Sequence, residues 1–309
     1  MSTRQPNTVV WWYPQDWELK LKCNPNVEIL ARKTNPNELV VKKIMRNDIG
    51  ENTRPKEIQL LDILPDTNRI LKPFIFLPSY PPNTGKSTAI FQYYPLGDLY
   101  SWQNDFFAND SNKPVPEPHI LRMFVQMSEA LAFVHGEIWQ GRDQRSPIVH
   151  RDVKPHNILV VNNGSAFPSF RLIDFGLSHI WTDEKSQESS LSGTHAWQPP
   201  ENPYINTFAS DIWALGAVVQ YMATRKSPAW DFLKFRAAHI TEHGGIIPEA
   251  RHYRDLYTCK SLSSVIVLLC FKAPTWGPFE TAVVHYNIRG YVIIILQSCD
   301  FRLCRKSST

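Results

Sequence analysis

The 309-residue sequence is poor in cysteine, in long apolar runs and in blocks of one charge. Its five cysteines form no CxxC pair: Cys23 stands alone, and Cys259, Cys270, Cys299 and Cys304 lie near the carboxy terminus. This spacing excludes a zinc-ribbon site and a disulfide-stapled scaffold. It predicts reduced thiols in an intracellular protein, cytoplasmic or nuclear. The longest apolar runs, 265–271 and 291–296, fall far short of the roughly 20 residues that span a bilayer. The amino-terminal stretch MSTRQPNTVVWWYPQDW lacks an apolar core of secretory length, so neither a membrane span nor a signal peptide is expected. Lys and Arg exceed Asp and Glu by only +4 and form no clusters, so no nucleic-acid partner is expected. There is no internal repeat. Hydrophobic residues at 43% and charged residues at 20% exclude a disordered or fibrous chain and predict a packed core.

Residues 27–45, VEILARKTNPNELVVKKIM, read as two β-rich runs separated by a turn at Asn35-Pro36-Asn37. In residues 55–64, Pro55 starts a short helix that places Ile58, Leu61 and Leu64 on one face and directs Glu57 back toward the hairpin. Strand-like stretches follow at 70–77 and 88–94. The Gly85-Lys86-Ser87 between them lacks the earlier glycine that a phosphate-binding P-loop requires, Tyr80 standing in its place. After Gly97-Asp98-Leu99 the period changes. Ile120, Phe124, Met127, Leu131 and Val134 form a helical stripe, and 211–222 is apolar almost all round, as a buried helix would be.

Two short motifs carry the chemistry. Residues 150–157 read HRDVKPHN, and 174–176 read DFG after the run RLI. Carboxylates and an amide in these positions supply a proton-accepting base and hard oxygen ligands for a divalent metal. Ser192-Gly193-Thr194, Pro199-Pro200-Glu201 and the DIWALG run from Asp211 to Gly216 follow in order. Together these motifs resemble the eukaryotic protein kinase family, serine/threonine type. The resemblance implies an α+β, two-lobed protein-kinase-like fold with a small β-rich N-lobe and a larger, mostly helical C-lobe. It also implies a protein serine/threonine kinase that uses ATP and Mg2+ and acts on protein substrates.

Position by position, the resemblance implies Asp152 as the base that orients the acceptor hydroxyl and Lys154 as its companion on the transferring phosphate. Asn157 and Asp174 would be the metal ligands, and Asp211 would anchor the catalytic-loop backbone. Lys42 is matched to the strand lysine that binds the α- and β-phosphates, with Glu57 as its partner. Strand alternation allows only one of Lys42 and Lys43 to face the nucleotide, and the family pattern favours the first. Phe91-Gln92-Tyr93-Tyr94 resembles the hinge whose backbone meets adenine, so Gln92 and Tyr94 are nucleotide-binding candidates. Asp98 matches an acidic position that meets the ribose. Lys154 favours Ser/Thr acceptors over tyrosine. Arg151 implies an activation segment ordered by phosphorylation, with Ser186, Ser189, Ser190 and Ser192 as candidate sites.

The sequence departs from the family in two places. No glycine precedes Lys42, and Asn24-Pro25-Asn26 stands where the phosphate-covering glycine loop would be. Beyond about residue 260 the chain no longer follows the family pattern. The expected organisation is therefore an extension over 1–26, an N-lobe over 27–94, an incomplete C-lobe over 95–260 and an atypical tail over 261–309. The altered glycine loop keeps open the alternative of a weak or inactive pseudokinase that serves as a binding module.

Overall fold

Alternating β-branched and apolar residues in the early part of the chain pair into an antiparallel sheet, as strands with two packed faces do. A computed structural model describes residues 12–48, 54–79, 85–106, 115–137, 146–182, 192–198, 206–225, 271–272, 284–288 and 291–295. In chain order the elements are β1 (Trp17–Asn24), β2 (Val27–Arg32), β3 (Asn35–Arg46), α1 (Lys56–Ile63), β4 (Ile75–Leu77) and β5 (Lys86–Gln92). There follow α2 (Leu99–Phe106), α3 (Glu117–Val134), β6 (Ile148–Val149), β7 (Ile158–Val161), β8 (Ser169–Leu172), β9 (His179–Ile180) and α4 (Phe208–Thr224). The last are β10 (Phe271–Lys272), β11 (Val284–Ile288) and β12 (Tyr291–Ile295). Among the described residues no helix is long and apolar enough to cross a membrane.

The chain divides into two compact units, Met1–Ser111 with Pro155–His179, and Asn112–Lys154 with Ile180–Thr309. This division differs from the expected boundary at 94 and 95, because α2 and the β7–β8 hairpin belong with the sheet. Backbone bonding explains the difference: Leu71 N donates to the Leu172 carbonyl, Leu172 N to the Arg69 carbonyl, and Val160 N to the Gly97 carbonyl.

In the first unit the sheet order is β1-β2-β3-β5-β4. It begins at Trp17, ten residues before the expected start at Val27, because β1 pairs with β2 around Pro25-Asn26, with Asn24 opposite Val27. The turn from β2 to β3 also moves. It falls at residues 33–34, and Asn35-Pro36-Asn37 opens β3. Asn35 Oδ1 accepts the Asn37 N–H locally, and the ladder jumps from Ala31 opposite Leu39 to Arg32 opposite Asn35.

The two faces of the sheet bury different clusters. Met45, Ala89 and Phe91 pack with Ile58 of α1 on one face, joined by Val41, Leu71 and Phe76. Leu30, Val40 and Ile90 pack with Trp12, Trp17 and Ile75 on the other. Helix α1 buries Ile58 and Leu61, with Leu64 just beyond its end, as the spacing requires. Gly85 lies in no phosphate loop. Its carbonyl takes the Asn47 N–H, and Ser87 Oγ donates to Asn47 Oδ1 at 2.6 Å.

In the second unit α3 packs against α4. The α3 stripe from Ile120 to Val134 is buried. Helix α4 buries Ile212, Leu215, Val218 and Met222, and Thr207 and Ser210 close a capping box at its start. Toward the carboxy terminus, β12 pairs with β10 and β11; the remainder of the expected tail lies outside the described residues. Leu215 is fully buried, so Leu215→Ala should lower unfolding free energy by about 2–5 kcal/mol in a urea titration.

Candidate functional site

Strand alternation decides which lysine matters. Lys43 is opposite Ala89 and shares the α1-facing side of β3 with Val41 and Met45, whereas Lys42 is opposite Ile90 on the other side. Lys43 Nζ lies 2.7 Å from Glu57 Oε2 and 2.8 Å from Asp174 Oδ1. Lys42 pairs instead with Glu28 across β2, at 3.0 Å. The expected Lys42–Glu57 pair is therefore corrected to Lys43–Glu57. Alternation puts the two lysines on opposite faces of β3, but packing of β3 on α1 decides which face meets Glu57, and the motif alone does not reveal that.

One ammonium here serves two carboxylates. Burial acts to lower the Lys43 pKa, but Glu57 and Asp174 together outweigh it and hold the group above its ordinary value. Burial pushes Glu57 up. Lys43 opposes that shift, Asp174 adds to it, and the Phe175 N–H bonds to the carboxylate. The cluster carries one positive and two negative charges, so an excess of negative charge faces whatever binds beside Asp174. Asp174 takes a left-handed backbone (φ 65). A methyl at Gly176 would sit 3.3 Å from Asp174 Oδ1, so the residue after Phe175 leaves room for the carboxylate.

Asn157 belongs to the same corner. It closes a one-turn 3-10 helix directly before β7, is buried, and its carbonyl accepts the Ile173 N–H at 3.0 Å. Ile158 pairs with Leu172 in the β7–β8 ladder. The two expected metal ligands thus flank one end of a single hairpin. A buried amide and a carboxylate with surplus negative charge, carried at the same end of one hairpin, are donor types that suit a hard divalent cation such as Mg2+, which prefers oxygen donors.

The remaining nucleotide candidates are in more varied settings. Gln92 ends β5, and its Oε1 accepts the Tyr94 hydroxyl at 3.0 Å; the Tyr94 carbonyl accepts the Gly97 N–H. Asp98 Oδ1 accepts the Ser101 N–H at 2.7 Å and so caps α2, which engages one of its oxygens before any ribose. At the β1–β2 turn Pro25 has no N–H, and that of Asn26 is held by Asn24 Oδ1 at 2.8 Å. This turn presents few backbone donors to a phosphate.

The second unit holds the rest. Asp211 in α4 accepts the His150 N–H at 2.7 Å and the Arg151 N–H at 2.8 Å, and lies 2.9 Å from His135 Nε2. These bonds hold Arg151 in a left-handed conformation (φ 71), a state that costs on the order of 1–3 kcal/mol for a residue other than glycine. The expected anchoring role of Asp211 is observed. His135 is an addition, since nothing in the sequence links it to a residue 76 positions away.

From that anchored loop Asp152 and Lys154 meet Thr194. The Thr194 hydroxyl donates to Asp152 Oδ1 at 2.7 Å and accepts from Lys154 Nζ at 2.7 Å, while Lys154 also lies 2.7 Å from Asp152 Oδ2. Thr194 N donates to Asp152 Oδ1 at 3.0 Å. Gly193 makes this approach possible. Its φ is +106, and a Cβ there would fall 2.4 Å from the Arg151 carbonyl oxygen. Pro199, Pro200, Glu201, Ser186, Ser189 and Ser190 lie outside the described residues.

A family model described as a protein kinase domain matches residues 26–270. The match extends past residue 260, where the sequence reading places the end of the large lobe. Mitogen-activated protein kinase kinase 2 of Arabidopsis thaliana is 30% identical over 148 residues, covering 47% of this chain and 36% of that protein. Mitogen-activated protein kinase kinase kinase 10 of Mus musculus is 32% identical over 118 residues, 36% of this chain and 12% of the relative. Serine/threonine-protein kinase pakA of Dictyostelium discoideum is 30% identical over 156 residues, 49% and 12%. The chain therefore spans little more than a third of the first of these relatives and far less of the others.

Lys43→Met leaves Glu57 buried without its cation and should cost about 3 kcal/mol at neutral pH, the low end for a broken buried pair because Lys43 is partly exposed. With the folded pKa of Glu57 raised further above its unfolded value, stability is retained at acid pH and lost as pH rises through that folded pKa. Urea titrations at pH 5 and pH 8 should show this loss for Lys43→Met and should not show it for the Lys43→Met/Glu57→Gln double variant.

Proposed function

The chain belongs to the protein kinase family, and from that premise we propose that it is a serine/threonine kinase. It would transfer the γ-phosphate of ATP to a Ser or Thr hydroxyl of a protein, within an intracellular compartment. One observation carries the acceptor assignment. An aliphatic hydroxyl, that of Thr194, already sits on the Asp152 carboxylate with Lys154 beside it.

In the proposed reaction Asp152 accepts the hydroxyl proton as the acceptor oxygen bonds to the γ-phosphorus, the bond from that phosphorus to the bridging oxygen breaks, and ADP leaves. Lys154 balances charge on the transferring group. Lys43, held protonated by its two carboxylates, would neutralise the non-transferring phosphates. Asn157 and Asp174 would hold Mg2+, which supplies further neutralisation of phosphate charge when bound. The segment from Gln92 to Tyr94 would receive the adenine through its backbone. With few donors at the β1–β2 turn, phosphate binding would rest mainly on Lys43 and the metal ligands.

The retained Asp152, Asn157 and Asp174 and the formed Lys43–Glu57 pair favour catalysis over a binding-only module. Transfer of radiolabelled phosphate from Mg-ATP by the purified chain tests the reading. Asp152→Asn should reduce transfer by at least about a hundredfold with an unchanged melting temperature. Lys43→Met should lose a similar factor, as removal of a single charge-stabilising group does. Lys42→Met should stay within about twofold, its partly exposed pair being worth little. Unaltered transfer by Asp152→Asn would overturn the assignment.

A further inference from the structure

The segment that ends β5 is tied to the β7–β8 hairpin by a side chain with no assigned role. Arg171 in β8 donates from Nη1 to the Tyr94 hydroxyl at 2.7 Å, and its guanidinium carbon lies 5.3 Å from the centre of the Tyr94 ring. That hydroxyl in turn donates to Gln92 Oε1 at 3.0 Å. One arginine thus engages both the face and the tip of an aromatic ring, and the ring bridges to the last residue of β5. Two backbone contacts run parallel to this clamp. Val160 N donates to the Gly97 carbonyl, and Asp98 bridges Leu159, the residue opposite Arg171 in the β7–β8 ladder.

We propose that Arg171 is a positioning residue for nucleotide binding, holding Tyr94, and through it the Gln92–Tyr94 backbone, in the conformation that receives the base. The inference rests on the kinase reading, which assigns that backbone to adenine, and adds to it the residue that fixes the backbone in advance. The physical basis is preorganisation. Residues 93–97 lie beyond the last β5 ladder pair, Val40 opposite Gln92. Ordering this segment on binding would weaken affinity unless something orders it first. A cation over an aromatic face, reinforced by a hydrogen bond to the same ring, restrains both tilt and rotation of Tyr94. The cation has no contact with the phosphates in this scheme, so it bears on affinity and not on the transfer step.

The test is ADP binding to the full chain by calorimetry, alongside Mg-ATP kinetics and thermal melting. Arg171→Ala should weaken ADP binding about fivefold, from loss of the cation–π contact and one hydrogen bond, raising the KM for ATP with little change in kcat. Arg171→Lys, which keeps a cation near the ring, should recover part of that affinity. Tyr94→Phe, which keeps the ring but removes both hydroxyl bonds, should fall between wild type and Arg171→Ala. If Arg171→Ala fails to fold, the order of the other two variants decides. Equal ADP affinity in wild type, Tyr94→Phe and Arg171→Lys, or a fall in kcat at constant KM, overturns the positioning role while leaving the kinase reading intact. A wild-type chain that binds no adenine nucleotide overturns both.

Discussion

Withdrawing a lysine ammonium from water costs several kcal/mol unless its charge is matched, and in the sheet unit two carboxylates converge on Lys43 to match it. Glu57 reaches it from α1 and Asp174 from the end of β8, so one charge pins together a strand, a helix and a hairpin. The face of β3 that carries Lys43 also carries Val41 and Met45, which pack on Ile58. Apolar packing and charge pairing therefore select the same register. A slip of one residue would turn Lys42 inward and move every apolar partner to the wrong side.

A second buried carboxylate does comparable work in the helical unit. Asp211 enters from α4 and accepts two consecutive backbone N–H groups of the HRD segment, one on each oxygen, with His135 from the end of α3 on the oxygen that takes the His150 N–H. A strained Arg151 persists because these bonds over-determine it. As a consequence the residue that follows, Asp152, is presented from a fixed backbone to the hydroxyl of Thr194. Gly193 completes the arrangement by omitting the one carbon that would collide with Arg151.

Both sites share a logic in which rigid elements hold short functional loops. Asn157 and Asp174 are kept at the end of a β-hairpin by ladder bonds, so the placement of both residues is set by backbone pairing. The segment after β5 is less bound by ladders, and side chains take over there, Arg171 through Tyr94 to Gln92. The β1–β2 turn shows the opposite case. An Asx turn at Asn24 satisfies it internally, leaving little to offer a phosphate.

The sequence by itself determined the family, the residues of the HRDVKPHN and DFG segments, the apolar stripe of α3, the buried α4 and a short helix within 55–64. Each of these is written in local order, as a motif or a helical period. Only the tertiary structure decided that Lys43 and not Lys42 meets Glu57, that the sheet starts at Trp17, that the hairpin turn lies at 33–34, and that the β7–β8 hairpin belongs with the sheet. It alone brought His135 to Asp211 and Arg171 to Tyr94. The reason is common to all of these. Alternation states that two neighbouring side chains face opposite ways but not which way is inward, and a contact between residues 76 or 77 positions apart leaves no trace in local spacing. Inward is defined only once α1 covers one face of the sheet.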